Sequence, residues 1–210
     1  MTGLDTVALS GEPLSVHVVS TRVAPREIRD VAYRALRVAG ACSGEASLAA
    51  RAVLEAELSE TSPDGLAMLL QELGTVCSAR VPAQFLLGPV PVLQDPAGRG
   101  LFFAVPAGVE HLLAHPEVTS VLLPAVFLRP GAHAVAAVTA GERAGEIELR
   151  SQSATATGPV GVLVHRATAG SLSGPEPGAR SQAETTGVLV DAAQWAHAEA
   201  AASPYLVPEQ

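Results

Sequence analysis

Apolar residues in the first third of the chain return every three to four positions. Between Arg26 and Val38, Ile28, Val31, Ala32, Ala35, Leu36 and Val38 fall near one face of a helix, and Arg26, Asp30, Arg34 and Arg37 fall on the other. Pro25 stands where a first helical turn tolerates it, and Gly40 is a natural stop. A second helix is predicted through GEASLAARAVLEAELSE, with Ser43 as its N-cap and Arg51 and Glu55 as an ion pair one turn apart. Ser62–Pro63–Asp64 signals a third helix start: an N-cap, then Pro, then an acid near the positive helix end, with the helix running through Leu73.

The pattern changes after Val81. Pro82, Pro89, Pro91 and Pro96 interrupt the chain, and short apolar runs predict strands at Gln84–Leu87, Leu101–Val105, Thr119–Leu123, His133–Thr139, Glu146–Arg150, Val160–His165 and Thr186–Val190. Leu14–Val19 reads as a first strand, Gly108–His115 as a short helix, and Asp191 as the start of a last helix reaching Ala202. Ala167–Glu184, rich in Gly, Ser, Pro and Thr, reads as a long surface loop. Helices first and strands after favour an α+β fold over a βαβ series. The expected architecture is N-terminal helices packed on a mixed or antiparallel sheet, with a C-terminal helix. It forms a single domain over residues 1–210: helical at about 25–75, strand-rich at about 84–190, and a terminal helix at about 191–202.

Composition narrows the partners. The residues are 48% hydrophobic, ample for a core, but aromatic side chains are few, so Leu, Val and Ala must fill it. All 13 basic side chains are arginine, which removes lysine Schiff bases, phosphate-loop lysines and lysine general bases. A net charge of −8 argues against a nucleic-acid groove and disfavours anionic lipid. No run approaches the roughly 20 apolar residues of a membrane span, and no basic-then-apolar leader opens the chain. Cys42 and Cys77 share no metal-type spacing. These features predict an acidic cytoplasmic protein with two reduced thiols, no membrane partner, a small anionic ligand and a homodimeric assembly.

The chemistry must then come from Arg, His and carboxylates. His165 ends one strand beside Arg166; such a pair can hold a carboxylate, with the imidazole taking a proton and the guanidinium binding the anion in bidentate fashion. Arg150 is a second carboxylate anchor, although Glu148 two residues away shares its strand face and predicts an ion pair. Arg129, framed by Pro130 and Gly131, is a third anion contact. Glu60 and Asp64 in SETSPDG are candidate acids, and capping alone also explains Asp64. His133 is expected to begin an apolar strand. His111 and His115, four apart, share a helix face and are candidate metal ligands, with Glu110 or Glu117 able to join them. No zincin pattern, phosphate loop, dinucleotide fingerprint or Gly-x-Ser-x-Gly elbow is present.

Two stretches carry a resemblance. EIRDVAYRALRVAGACSGEASLAARAVLEAELSETSPDGLAMLLQEL resembles the helical entry of the malate/L-lactate dehydrogenase-like proteins. Together with GVLVDAAQWAHAEAAASPYLVPEQ, with its Trp195 helix and Tyr205–Pro208 tail, it resembles a short bacterial family of uncertain function that is similar to those enzymes in its early helices. The resemblance implies an oligomer. In the dehydrogenases a Ser-His-Gly turn supplies the acid–base imidazole, whereas this chain has Ser62–Pro63–Asp64–Gly65 there, so NAD-dependent chemistry is not implied.

The resulting expectation is a metabolic enzyme acting on a carboxylate or other anionic metabolite by general acid–base chemistry, of lyase, isomerase, cyclase or hydrolase type. Secondary metabolism is its expected setting. The predicted catalytic residues are His165, Asp64 and Glu60, and the predicted substrate contacts are Arg166, Arg150 and Arg129. No organic cofactor is expected, while a haem or metal ion on a histidine stays open. The alternatives are a non-catalytic ligand-binding or assembly protein on a dehydrogenase-like fold, and a haem- or metal-dependent enzyme.

Overall fold

Acidic side chains define where the helices begin. In a computed structural model that describes residues 19–59, 64–76, 83–124, 126, 130–152, 161–167 and 178–206, helix α1 spans Pro25–Ala39, and the Ala24 N–H donates to Glu27 Oε2 at 3.1 Å. Gly40 ends α1 in the left-handed region at φ 107°. Helix α2 spans Ser43–Glu57, and its N-cap is Cys42 rather than Ser43: the Cys42 N–H donates to Glu45 Oε2 at 3.0 Å while Cys42 Sγ accepts from the Glu45 N–H. Helix α3 spans Gly65–Glu72. Asp64 holds its N-cap position without a side-chain capping bond; Glu57 Oε1, from the end of α2, accepts the Leu66 N–H instead.

Strand β1 spans Ser20–Val23, so the run expected at Leu14–Val19 falls almost wholly outside the described residues. Hairpin strands β2 (Gln84–Leu86) and β3 (Val92–Gln94) follow; the second was not anticipated between its flanking prolines. Helix α4 covers Leu101–Ala114 and α5 covers Pro130–Ala140. These overturn two expected strands, Leu101–Val105 and His133–Thr139. The physical reason is burial on several sides. α5 packs against both α2 and α4, and α4 also lies on the sheet, so neither helix keeps a polar face to reveal its 3.6-residue period. The short helix expected from Gly108 is the second half of α4.

Strands β4 (Ser120–Pro124), β5 (Ile147–Gln152) and β6 (Gly161–Arg166) complete a five-stranded mixed sheet in the order β2-β3-β4-β6-β5. Only β3 and β4 are parallel. Helix α6 spans Ala179–Thr186; it begins inside the segment expected as loop, Ala167–Glu184, and ends on Thr186, the first residue of the strand expected at Thr186–Val190. Strand β7 (Val188–Asp191) pairs antiparallel with β1 as a separate ribbon. Helix α7 spans Ala192–Ala202, where the Asp191 carboxylate caps the N–H groups of Ala193 and Gln194 as the sequence predicts. The fold is α+β, with a C-terminal helix against α1.

The sheet has two unlike faces. Val121, Leu123, Ile147, Leu149, Val162 and Val164 are buried on one, and α4 and α5 pack against the sheet there. Gly108 permits the close approach: a Cβ there would stand 2.9 Å from Leu123 Cδ2 and 3.1 Å from Val164 Cγ2. Alternation sends Ser120, Leu122, Glu148, Arg150, Leu163 and His165 to the opposite face. That is the face on which the polar side chains gather.

Candidate functional site

Antiparallel register brings three of these side chains together. Glu148 of β5 lies directly across from His165 of β6, and Arg150, two residues along β5, lies on the same face across from Leu163. Arg150 Nε and Nη2 each donate to one oxygen of Glu148 at 2.8 Å, a bidentate pair. This is the pairing that the two-residue spacing predicts. The guanidinium remains 59% exposed and the carboxylate 30%.

Partial burial, followed by the positive charge of Arg150, holds the His165 imidazole below its ordinary pKa, with Glu148 opposing. The hydrogen bond from Arg150 lowers the Glu148 carboxyl, and the same bond raises the guanidinium. The ring is therefore a neutral imidazole at neutral pH, beside an accessible cation. Such a group can accept a proton.

Arg166 does not join this group. It points to the helix-covered face of the sheet, because neighbouring residues of a strand alternate. There its Nη2 donates to the Leu112 carbonyl at 2.5 Å and to the His115 carbonyl at 3.5 Å, and Nη1 lies 3.6 Å from Glu146 Oε2. Arg166 thus satisfies the open carbonyls at the C-terminal end of α4. The His165–Arg166 pairing expected from adjacency is replaced by His165 with Arg150.

Asp64 sits beside the buried carboxyl of Glu57, which is raised first by burial and further by the Asp64 charge, against the Leu66 N–H that stabilises the anion. Asp64 belongs to the α2–α3 junction and does not share the sheet face of His165. Glu60 and Arg129 lie outside the described residues.

His111 and His115 do lie side by side, with ring centroids 4.4 Å apart. The His111 ring stacks on Phe85 at 3.9 Å, and His115 Nδ1 is 3.2 Å from Glu117 Oε1. Burial and then His115 lower the His111 pKa. The two imidazoles are tilted at 39° to each other. Among the described residues no group of three His, Cys, Asp or Glu side chains is arranged to hold a metal ion. His133 lies on helix α5, not at a strand start, and burial lowers its pKa.

A cleft of about 410 Å³ brings together residues that sequence reasoning missed: Glu72, Thr75, Asp95 and Arg99 on a polar wall, against Leu93, Leu101 and Val126. Glu72 Oε2 accepts from the Leu101 N–H at 2.8 Å, capping α4 across 29 residues of sequence, and from Thr75 Oγ1 at 3.1 Å. Gly100 allows this, since a Cβ there would stand 2.0 Å from Glu72 Oε2. Asp95 accepts from the Ala97 and Arg99 N–H groups and from the Arg99 side chain, which lies 3.4 Å above the Phe103 ring. Asp95 and Arg99 stand four apart in DPAGRG, the one signal that could have found this pair.

Among the described residues no helix is long and apolar enough to cross a membrane. No protein-family model, no curated protein and no solved structure matches this chain.

Proposed function

We propose that the protein is an enzyme acting on a small carboxylate or other anionic metabolite by general acid–base chemistry, at the sheet face that carries His165, Glu148 and Arg150. The supporting observation is the register that sets a neutral imidazole across from the Glu148–Arg150 pair. His165 accepts the substrate proton, Arg150 meets the anion with its exposed edge, and Glu148 holds the guanidinium in place. General acid–base chemistry of this kind would serve a lyase, isomerase, cyclase or hydrolase reaction. The same proposal includes a homodimer in the cytoplasm.

A second reading is a non-catalytic binding or assembly protein on a dehydrogenase-like scaffold. It draws support from Arg150 being engaged on both nitrogens that face Glu148.

An NMR titration tests the proposal. The His165 ring resonances are followed while pyruvate, malonate, citrate and phosphate are added, in the parent and in Arg150→Gln. Saturable shifts that weaken in Arg150→Gln are expected. Ring shifts that are absent for every anion, or unchanged by the substitution, would sink it. Turnover of a bound anion that is lost in His165→Gln separates the catalytic reading from the binding one.

A further inference from the structure

A different group of arginines converges at a place that the sheet face does not touch. Arg29 of α1, Arg51 of α2 and Arg180 of α6 line a cleft of about 190 Å³ together with Pro25, Leu54, Leu58, Glu55 and Glu184. We propose that this cleft is an anion-binding site for a small molecule bearing a carboxylate or phosphate group.

Six of the described arginines are spent on carboxylates. Arg34 pairs with Asp30, Arg99 with Asp95, Arg143 and Arg166 with Glu146, Arg150 with Glu148, and Arg180 with Glu55. Among the described residues Arg29 and Arg51 have no carboxylate partner; nor do Arg22 and Arg37, which donate to backbone carbonyls, or Arg26, but of these five only Arg29 and Arg51 line this cleft. Arg51 stands one turn before Glu55, the spacing that ordinarily makes a helical ion pair. Glu55 has instead turned to Arg180 on another helix, which corrects the pairing expected from sequence.

Two guanidiniums without an ion-pair partner among the described residues therefore share one concavity in a chain of net charge −8. Acidic side chains are abundant, and Glu55 and Glu184 line the same cleft, yet among the described residues neither arginine forms an ion pair with one. Three guanidiniums against two carboxylates leave the cleft positive.

The position adds to the charge. Pro25 opens the first turn of α1, and Arg29 lies one turn along the same helix face, so the positive end of a 15-residue helix borders the cleft. Guanidinium is the side chain best shaped to take two oxygens of a carboxylate or phosphate at once. Leu54 and Leu58 give the floor an apolar surface for the ligand's carbon body. The volume is below the roughly 300–1,000 Å³ of drug-sized pockets, which suits a small metabolite.

The test uses the full chain at low ionic strength, with inorganic phosphate and malonate as probes. The Nε–Hε resonances of Arg29 and Arg51 are followed in ¹H–¹⁵N spectra, so the readout is local to this cleft and separate from the His165 ring. Both resonances should move along one saturable curve. Arg51→Gln and Arg29→Gln should each weaken binding about tenfold, a loss near 1.4 kcal/mol. Arg26→Gln, an exposed change on the same helix outside the cleft, should leave the curve in place. Tighter phosphate binding marks a phosphate-bearing ligand and tighter malonate binding a dicarboxylate; either supports the site. Resonances that do not move with either probe, or an Arg26→Gln variant that weakens binding as much as Arg51→Gln, would overturn it.

Discussion

Gly65→Ala should be among the most damaging single-methyl additions to this protein. Gly65 is the first residue of α3, where that helix crosses α2. A Cβ there would lie 2.1 Å from the Val53 carbonyl oxygen and 2.9 Å from Glu57 Cγ, against the 3.4–4 Å of ordinary contact. The nearer atom is backbone inside a helix and cannot turn aside. Relief requires α3 to withdraw by about 1.3 Å, the difference between 3.4 and 2.1 Å. That withdrawal stretches the bond from the Leu66 N–H to Glu57 Oε1, now 2.5 Å. Overpacking costs about 1–3 kcal/mol. Loss of a buried hydrogen bond to a charged acceptor adds about 1.5–3 kcal/mol, and the better helix propensity of Ala returns up to about 1 kcal/mol. The net expectation is a loss of about 1.5–6 kcal/mol, a large part of the roughly 5–15 kcal/mol stability of a domain. Gly44→Ala is the internal control. It lies in the first turn of α2 with no heavy atom within 4 Å of the new methyl, so it should stabilise by up to about 1 kcal/mol. Urea denaturation followed by far-ultraviolet circular dichroism measures both. A Gly65→Ala protein within about 1 kcal/mol of the parent would refute the close α2–α3 crossing.

Arg166→Met removes the donor that satisfies the Leu112 carbonyl at the end of α4 and should cost about 1.5–3 kcal/mol in denaturant unfolding; an unchanged midpoint would show that the guanidinium is dispensable there. His111, His133 and His165 all have folded-state pKa values below the ordinary 6.5. The unfolded chain therefore binds protons first as pH falls, so stability present above pH 6.5 should be lost between there and the lower folded values. His111→Phe, which keeps the stack on Phe85, should flatten that slope; a slope that stays as steep would contradict the burial ascribed to His111.

The parts of the fold that the sequence makes legible are those with one wet face and one dry face. α1 has its arginines and Asp30 on the solvent side, and its limits at Pro25 and Gly40 are readable for that reason. α7 is readable from the Asp191 cap. α4 and α5 are not, because LFFAVPAGVEHLLA and PGAHAVAAVTA are apolar nearly all round, and a short buried helix has the same composition as a buried strand. The candidate site is half legible. The Glu148–Arg150 pair follows from a spacing of two on a strand. Its meeting with His165 depends on the β5–β6 register, which the sequence does not display, and adjacency in the chain pointed to Arg166 when alternation turns that side chain to the other face. Asp64 drew attention for a capping role that Glu57, seven residues earlier, performs from a neighbouring helix.

An acid–base site on this sheet face requires the His165 imidazole and the Arg150 guanidinium to share it closely enough to feel each other's charge. The NMR-measured pKa of His165, in the parent and in Arg150→Gln, tests it directly. Arg150 lowers that value, so the parent should titrate below 6.5 and the substitution should move it upward. A His165 that titrates at the same pH in both proteins would contradict the shared face, and the acid–base site with it.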